Sequence, residues 1–158
     1  MITKKSDVEF DEDATCDQFI TFLQRIFEDD TDTIAFVQKM VGYSLTGNTS
    51  EQCMFLLYGV GANGKSTLID IVQALLGDYA KQAGFNTFAV SHNSSPGGAR
   101  EDIARLQGAR CVAAVEADAG VRLSESTIKQ MTGGDTVTAR NLYTGSIEFK
   151  PEFKLVLV

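Results

Sequence analysis

The sequence predicts an α/β fold with helices flanking a parallel sheet. Three runs, Cys53–Tyr58, Cys111–Val115 and Lys154–Val158, are apolar almost without interruption. Unbroken apolar runs mark strands covered on both faces, as in parallel sheets. Segments with helical spacing or turn chemistry separate them, and such alternation of strands with helices gives a layered α/β sheet. A glycine-rich turn, Gly59–Gly64, joins the first run to a helix. Ligands of such sheets bind at the carboxyl ends of the strands, and both this turn and Glu116, just after the second run, fall on that edge.

Three regions follow along the chain. Residues 1–13 lack periodicity and are acidic, so a frayed, disordered leader is expected. Residues 14–48 read as a helical collar. Asp17 is a candidate N-cap for a helix reaching near Asp29, with Phe19, Ile20, Leu23, Ile26 and Phe27 on one face. Thr31 or Asp32 would cap a second helix, with Ile34, Val37 and Val41 at helical spacing and Gly42 as its stop. Ordinary core helices fit this pattern equally well. Residues 49–158 form the core: the first strand, a helix through Leu76 ended by Gly77, a short strand at Thr87–Val90, and a poorly ordered surface loop over Asn86–Arg100. A short helix Glu101–Leu106, the second strand, a helix from Ser124 to Met131, a β-hairpin within Thr136–Ile147 and the third strand complete it.

Gly59–Ser66 fits G-x-x-x-x-G-K-[ST] at each fixed position, the pattern of a phosphate-binding loop when it joins a strand to a helix. Glycines let backbone N–H groups converge on phosphate oxygens without a Cβ in the way. The helix N-terminus adds a positive dipole end. Gly59, Gly61, Ala62, Asn63, Gly64, Lys65, Ser66 and Thr67 are therefore the expected nucleotide-binding residues, for ATP with Mg²⁺. Lys65 would reach the β- and γ-phosphates, and the Ser66 hydroxyl would ligate the metal. Mg²⁺ wants oxygen ligands, and the attacking water needs a carboxylate to orient it. Glu116 and Asp118 are assigned to metal binding and water activation, the division between them left open. Two solvated carboxylates at a strand end are the structural alternative.

The totals limit other readings. With 158 residues, 44% of them hydrophobic, the chain supports one cored domain. No apolar run approaches the ~20 residues that span a bilayer, and the N-terminus lacks the apolar stretch of a signal peptide; a cytoplasmic protein with no membrane partner is expected. Cys16, Cys53 and Cys111 form no C-x-x-C pair and read as buried, reduced thiols. His92 is the sole histidine, which argues against a histidine–cysteine zinc site. A net charge of −7 argues against surface-wide nucleic-acid binding but leaves room for a local groove.

The loop Gly59-Val60-Gly61-Ala62-Asn63-Gly64-Lys65-Ser66-Thr67 resembles that of superfamily 3 helicases, in particular the helicase part of phage and plasmid primase-helicases and related large-DNA-virus proteins. Gly42–Gly47, Leu106–Arg110, Lys129–Asp135 with Thr138–Arg140, and Phe149–Lys154 resemble the family's further segments in the same order. The resemblance runs from about Asp17 to the end. It implies an AAA+-like ATPase, assembled as a ring, usually a hexamer, around single-stranded DNA in replication. Arg140–Phe149 would be its pore hairpin, with Arg140, Thr144, Gly145 and Ser146 as DNA contacts, or a structural hairpin only.

Two departures accompany the resemblance. The family's acidic strand often ends Glu-x-Glu-Glu, whereas this chain has Glu116-Ala117-Asp118-Ala119. The family's polar sensor and arginine finger would follow Val158, so the sequence reads as a fragment of a phage, prophage or plasmid protein from a bacterial host, itself inactive, with Cys53–Tyr58 left as an open apolar edge. A nucleotide-binding module without unwinding activity and a small phosphate-loop kinase are the competing classes.

Overall fold

A computed structural model describes residues 3–90, 100–115, 121–141 and 145–158. A four-stranded parallel sheet forms the middle layer, in the order β1 (Met54–Leu56), β6 (Lys154–Leu157), β3 (Cys111–Val115), β2 (Ala80–Gly84). On one face lie α1 (Asp17–Ile26), α2 (Thr31–Ser44) and α3 (Lys65–Leu76). The opposite face carries α4 (Glu101–Ala104), α5 (Glu125–Thr132) and the antiparallel hairpin β4 (Val137–Asn141) and β5 (Gly145–Phe149).

Side-chain alternation explains why the central strands are apolar throughout. Cys111 and Ala113 of β3 and Val156 of β6 join Leu68, Ile69, Val72 and Leu76 of α3 in one core. Val112, Ala114, Leu155 and Leu157 point the other way, among Phe88, Leu106, Met131, Val137 and Phe149. A strand covered on both faces has no polar side to alternate with. Phe153, just before β6, is also buried in the second core.

Register aligns the strand ends. Leu56 is level with Leu157, and Leu157 with Ala114. Leu57 N–H donates to Leu157 O at 2.8 Å, and Val158 N–H to Ala114 O at 3.0 Å. The ends of β1 and β3 therefore face the same edge, separated by β6 alone, roughly 10 Å across at ordinary strand spacing.

Several elements differ from expectation. Strand β2 lies in a stretch, after the helix break at Gly77, to which the sequence assigned no element; of its AKQAG residues only Ala83 is buried, and it is held by pairing with β3. The strand expected at Thr87–Val90 is instead a 3₁₀ turn, Phe85–Thr87, and an isolated bridge from Ala89 to Leu123. Helix α1 starts at Asp17, with Cys16 rather than Asp17 as its N-cap and no side-chain cap bond. Helix α2 is capped by Asp30, which accepts from the amides of Asp32 and Thr33, and it runs past Gly42 to Ser44. The Thr33 hydroxyl and amide, then the Asp32 amide, hold the Asp30 carboxyl below its usual range. Of the cysteines only Cys111 is buried, while Cys16 is exposed. The leader, expected to fray, is pinned near its start: Asp78 N–H donates to Lys5 O at 3.1 Å and the Ser6 hydroxyl to Leu75 O at 2.7 Å. Strand β1 is shorter than its apolar run. It is an edge of the described sheet, with Met54 38% and Leu56 61% exposed.

Lys154 is the one buried cation among the described residues, 1% exposed. Its ammonium donates to the carbonyls of Thr46 and Asn48 and sits 4.4 Å from the Tyr43 ring centroid. It thereby ties the loop after α2 to the start of β6. Burial lowers its pKa to about 8; Cys111, Cys53 and Glu152 favour the charge and Arg110 opposes it. Because the unfolded lysine titrates near 10.5, the unfolded chain binds more protons between pH 8 and 10.5, and this residue makes stability rise with pH there. Urea denaturation of wild type and Lys154→Met from pH 7.5 to 9 should show the difference moving in favour of wild type. A difference independent of pH contradicts the assignment.

Candidate functional site

The site grows from the end of β1. After Leu57 the chain leaves the sheet and turns through Gly59, at φ 144°, and Ala62, at φ 61°, to Gly64, at φ 83°. A Cβ on Gly59 would overlap the Asn63 amide. At Gly64 it would lie 2.9 Å from the Ile26 methyl and 3.1 Å from the Phe22 ring, so glycine is required there by both dihedral and close approach. Ala62 takes a left-handed conformation that costs an L-residue about 1–2 kcal/mol; a strained residue of this kind belongs to a loop whose shape the surroundings dictate.

Gly64 is also the N-cap of α3. It provides no side-chain cap, and no acidic residue lies in the first turn. The contrast with α2 is direct, since Asp30 closes that helix start. The open N–H groups and dipole of α3 favour an anion. Lys65 curls back over the loop, its ammonium donating to Gly59 O at 2.9 Å and to Asn63 Oδ1 at 3.0 Å. An ammonium has three donors, so one remains.

Among the described residues, three clefts adjoin the loop or the helix start that follows it. One of about 450 Å³ lies between Gly61–Thr67 and the α1 residues Phe22, Arg25 and Ile26. A second, of about 560 Å³, is mainly apolar, bounded by Phe27, Phe36, Met40 and β1. The third, about 210 Å³, is lined by Ser66, Asp70, Gln73, Gln82, Val115 and Val158. Gln73 Nε2 is buried without a partner there among the described residues. Ser66 and Asp70 are one helical turn apart, so a hydroxyl and a carboxylate share this cleft. Hard oxygen donors of this kind suit Mg²⁺.

The structure brings Gly59, Gly61, Ala62, Asn63, Gly64, Lys65, Ser66 and Thr67 together as one loop and helix start. Glu116, Asp118 and Thr144 lie outside the described residues; β3 ends at Val115 on the loop's edge of the sheet. Arg140, Gly145 and Ser146 are exposed at the end of the hairpin where β4 passes into β5, and the hairpin's buried side packs on the face away from α3. Arg140 O accepts from Arg100 N–H at 2.9 Å, anchoring α4 to the hairpin. The sequence reading missed Phe22, Arg25, Asp70 and Gln73. Phe22 carried a signal: it sits three residues after Phe19 and four before Ile26, widening the apolar stripe toward the loop. Asp70 and Gln73 carried a weaker one, their spacing from Ser66 placing all three on one helix face.

Residues 57–158 match a protein family described as a family of unknown function, DUF5906. The chain belongs to that family. Among relatives, this DUF5906 chain is 33% identical over 159 residues to a candidate helicase, L207/L206, of Acanthamoeba polyphaga mimivirus, covering all of this chain and 16% of that protein. It is 28% identical over 145 residues to a candidate helicase, 022R, of Frog virus 3 (isolate Goorha), covering 89% of this chain and 15% of the viral protein. The chain thus spans about a sixth of the length of these relatives. Among solved structures, the C-terminal region of NrS-1 (305–718) superposes with a TM-score of 0.65 at 13% identity, over 91% of this chain and 33% of that one. A second structure of the same region gives 0.64 at 11% identity. At such identity the likeness shows the fold, an α/β domain with a parallel sheet and flanking helices.

The close approach of α1 to the loop gives a stability test. Gly64→Ala should lower the unfolding free energy by about 1–3 kcal/mol through strain and overlap. Gly61→Ala, with nothing within 4 Å of its Cβ, should cost no more than about 1 kcal/mol. Equal urea midpoints for Gly64→Ala and wild type contradict the packing described.

Proposed function

We propose that this chain is the nucleotide-binding core of a DNA helicase that hydrolyses ATP. The observation that carries the reading is Lys65, whose ammonium is held at the open N-terminus of α3 within a loop of left-handed turns. The helicase names of the viral relatives support the class of enzyme. In this reading the loop amides and Lys65 hold the β- and γ-phosphates. Ser66 ligates Mg²⁺, with Asp70 nearby and Glu116 as a further ligand. Mg²⁺, when bound, neutralises charge developing on the phosphates. Glu116 and Asp118 divide metal binding and orientation of the attacking water. The hairpin residues Arg140, Thr144, Gly145 and Ser146 contact single-stranded DNA in the pore of a ring, a hexamer in the whole protein, during replication in the cytoplasm. Resemblance to superfamily 3 primase-helicases supports these finer assignments.

Two measurements test the chemistry. Lys65→Ala should weaken binding of Mg·ATP by about 1.5–3 kcal/mol, the loss of one charge-assisted contact; equal calorimetric affinities would remove Lys65 from the site. Glu116→Gln in the whole protein should preserve nucleotide binding and abolish turnover, because the amide keeps shape but loses charge. Turnover at the wild-type rate would move the role to Asp118.

DNA contact makes a separate expectation. Gly145→Asp in the whole protein should reduce unwinding more than basal ATP hydrolysis, since the new carboxylate meets DNA phosphates. Equal loss of both would mark the hairpin as structural.

A further inference from the structure

The 450 Å³ cleft has a wall that the loop motif does not contain. Across it from Gly61–Thr67 stand Phe22, Arg25 and Ile26 of α1. The Phe22 ring is half-buried and stacked on Phe19, with centroids 6.2 Å apart and planes at 21°. Its edge and the Ile26 methyl crowd Gly64, fixing α1 against the loop. Arg25 is exposed and forms no ion pair among the described residues.

The two walls differ in chemistry. The loop and α3 offer amides, an ammonium and hydroxyls, which are groups for phosphate and metal. They offer no flat apolar surface. Helix α1 offers an aromatic ring and a branched aliphatic side chain, with one guanidinium beside them. A nucleoside triphosphate has the same division, a polyanion joined to a flat base. Its size also suits the cleft, since small-molecule sites commonly enclose about 300–1,000 Å³. A guanidinium matches phosphate oxygens two at a time, which an ammonium does not.

We infer that α1 forms the nucleoside subsite of the nucleotide cleft: the base lies against Phe22 and Ile26, and Arg25 joins Lys65 on the phosphate chain. The helical segment ahead of the sheet is then part of the binding site, and it gives the cleft its preference for a nucleoside triphosphate over bare polyphosphate. This rests on the phosphate-loop reading above, and the test separates the two.

Wild type, Phe22→Leu, Phe22→Tyr and Arg25→Gln are titrated calorimetrically with Mg·ATP and with Mg·tripolyphosphate, each variant's melting curve confirming that it is folded. Wild type should prefer ATP by about tenfold or more, the size of one base–aromatic stack. Phe22→Leu should lose most of that preference while binding tripolyphosphate within about twofold of wild type. Phe22→Tyr, which keeps a ring, should retain it. Arg25→Gln should weaken both ligands by a similar factor, about fivefold or more. Wild type binding both ligands equally, or a folded Phe22→Leu that keeps its preference, overturns the nucleoside subsite and leaves the loop reading standing. Loss of only one ligand in Arg25→Gln overturns the role of Arg25. Wild type binding neither ligand overturns the loop reading and the subsite with it.

Discussion

Strand β6 is the constraint on which the rest of the molecule depends. It pairs with β1 on one side and β3 on the other, and it is buried on both faces. Its register sets Leu56 and Ala114 level with Leu157. A shift of one residue would send Leu155 and Leu157 to the face now occupied by Val156, reversing both cores. The same pairing determines where the loop after β1 begins relative to the end of β3. At its start, Lys154 holds the carbonyls of Thr46 and Asn48, and Arg110 holds Leu45 O at 2.7 Å while lying 4.1 Å from the Tyr79 ring centroid. Two cations thus fasten the chain entering β1 to the sheet's amino-terminal edge.

From that frame the loop inherits its geometry. Helix α3 packs on the sheet through Leu68, Ile69, Val72 and Leu76, so its N-terminus is held at the strand ends rather than free to rotate away. Helix α1 then closes against Gly64. That contact fixes the Gly64 end of the loop, while Ala62, left-handed at φ 61°, lies exposed beside the cleft between the loop and α1. Phosphate binding, as proposed for this loop, would use the α3 start and the Gly64 turn that this packing positions.

Much of this was legible in the residues. Cys111–Val115 and Lys154–Leu157 were recoverable because burial on both faces leaves unbroken apolar runs. Helix α5 was recoverable from Ser124, which accepts from Thr127 N–H as an N-cap should. The loop motif needed its context, a strand before and a helix after, and has it. Strand β2 was not legible, because AKQAG is specified by pairing to β3 and not by its own side chains. The α1 wall was illegible for a related reason: Phe22 and Ile26 look like any apolar helix face, and only their closeness to Gly64, about forty residues further along the chain, gives them a site to line. Asp30 was overlooked as a cap because Thr31 and Asp32 beside it are equally good candidates by type, and only geometry chooses among them.

The central claim is that the turn from Gly59 to Thr67 is a phosphate-binding loop. Amide hydrogen exchange along the chain, with and without Mg·ATP, tests it most directly. Bound phosphates would occupy the open N–H groups, so exchange should slow at residues 61–67 and along the facing part of α1, with β4 and β5 unchanged. Unaltered exchange at residues 61–67 under saturating nucleotide, or protection confined to another surface, would contradict it.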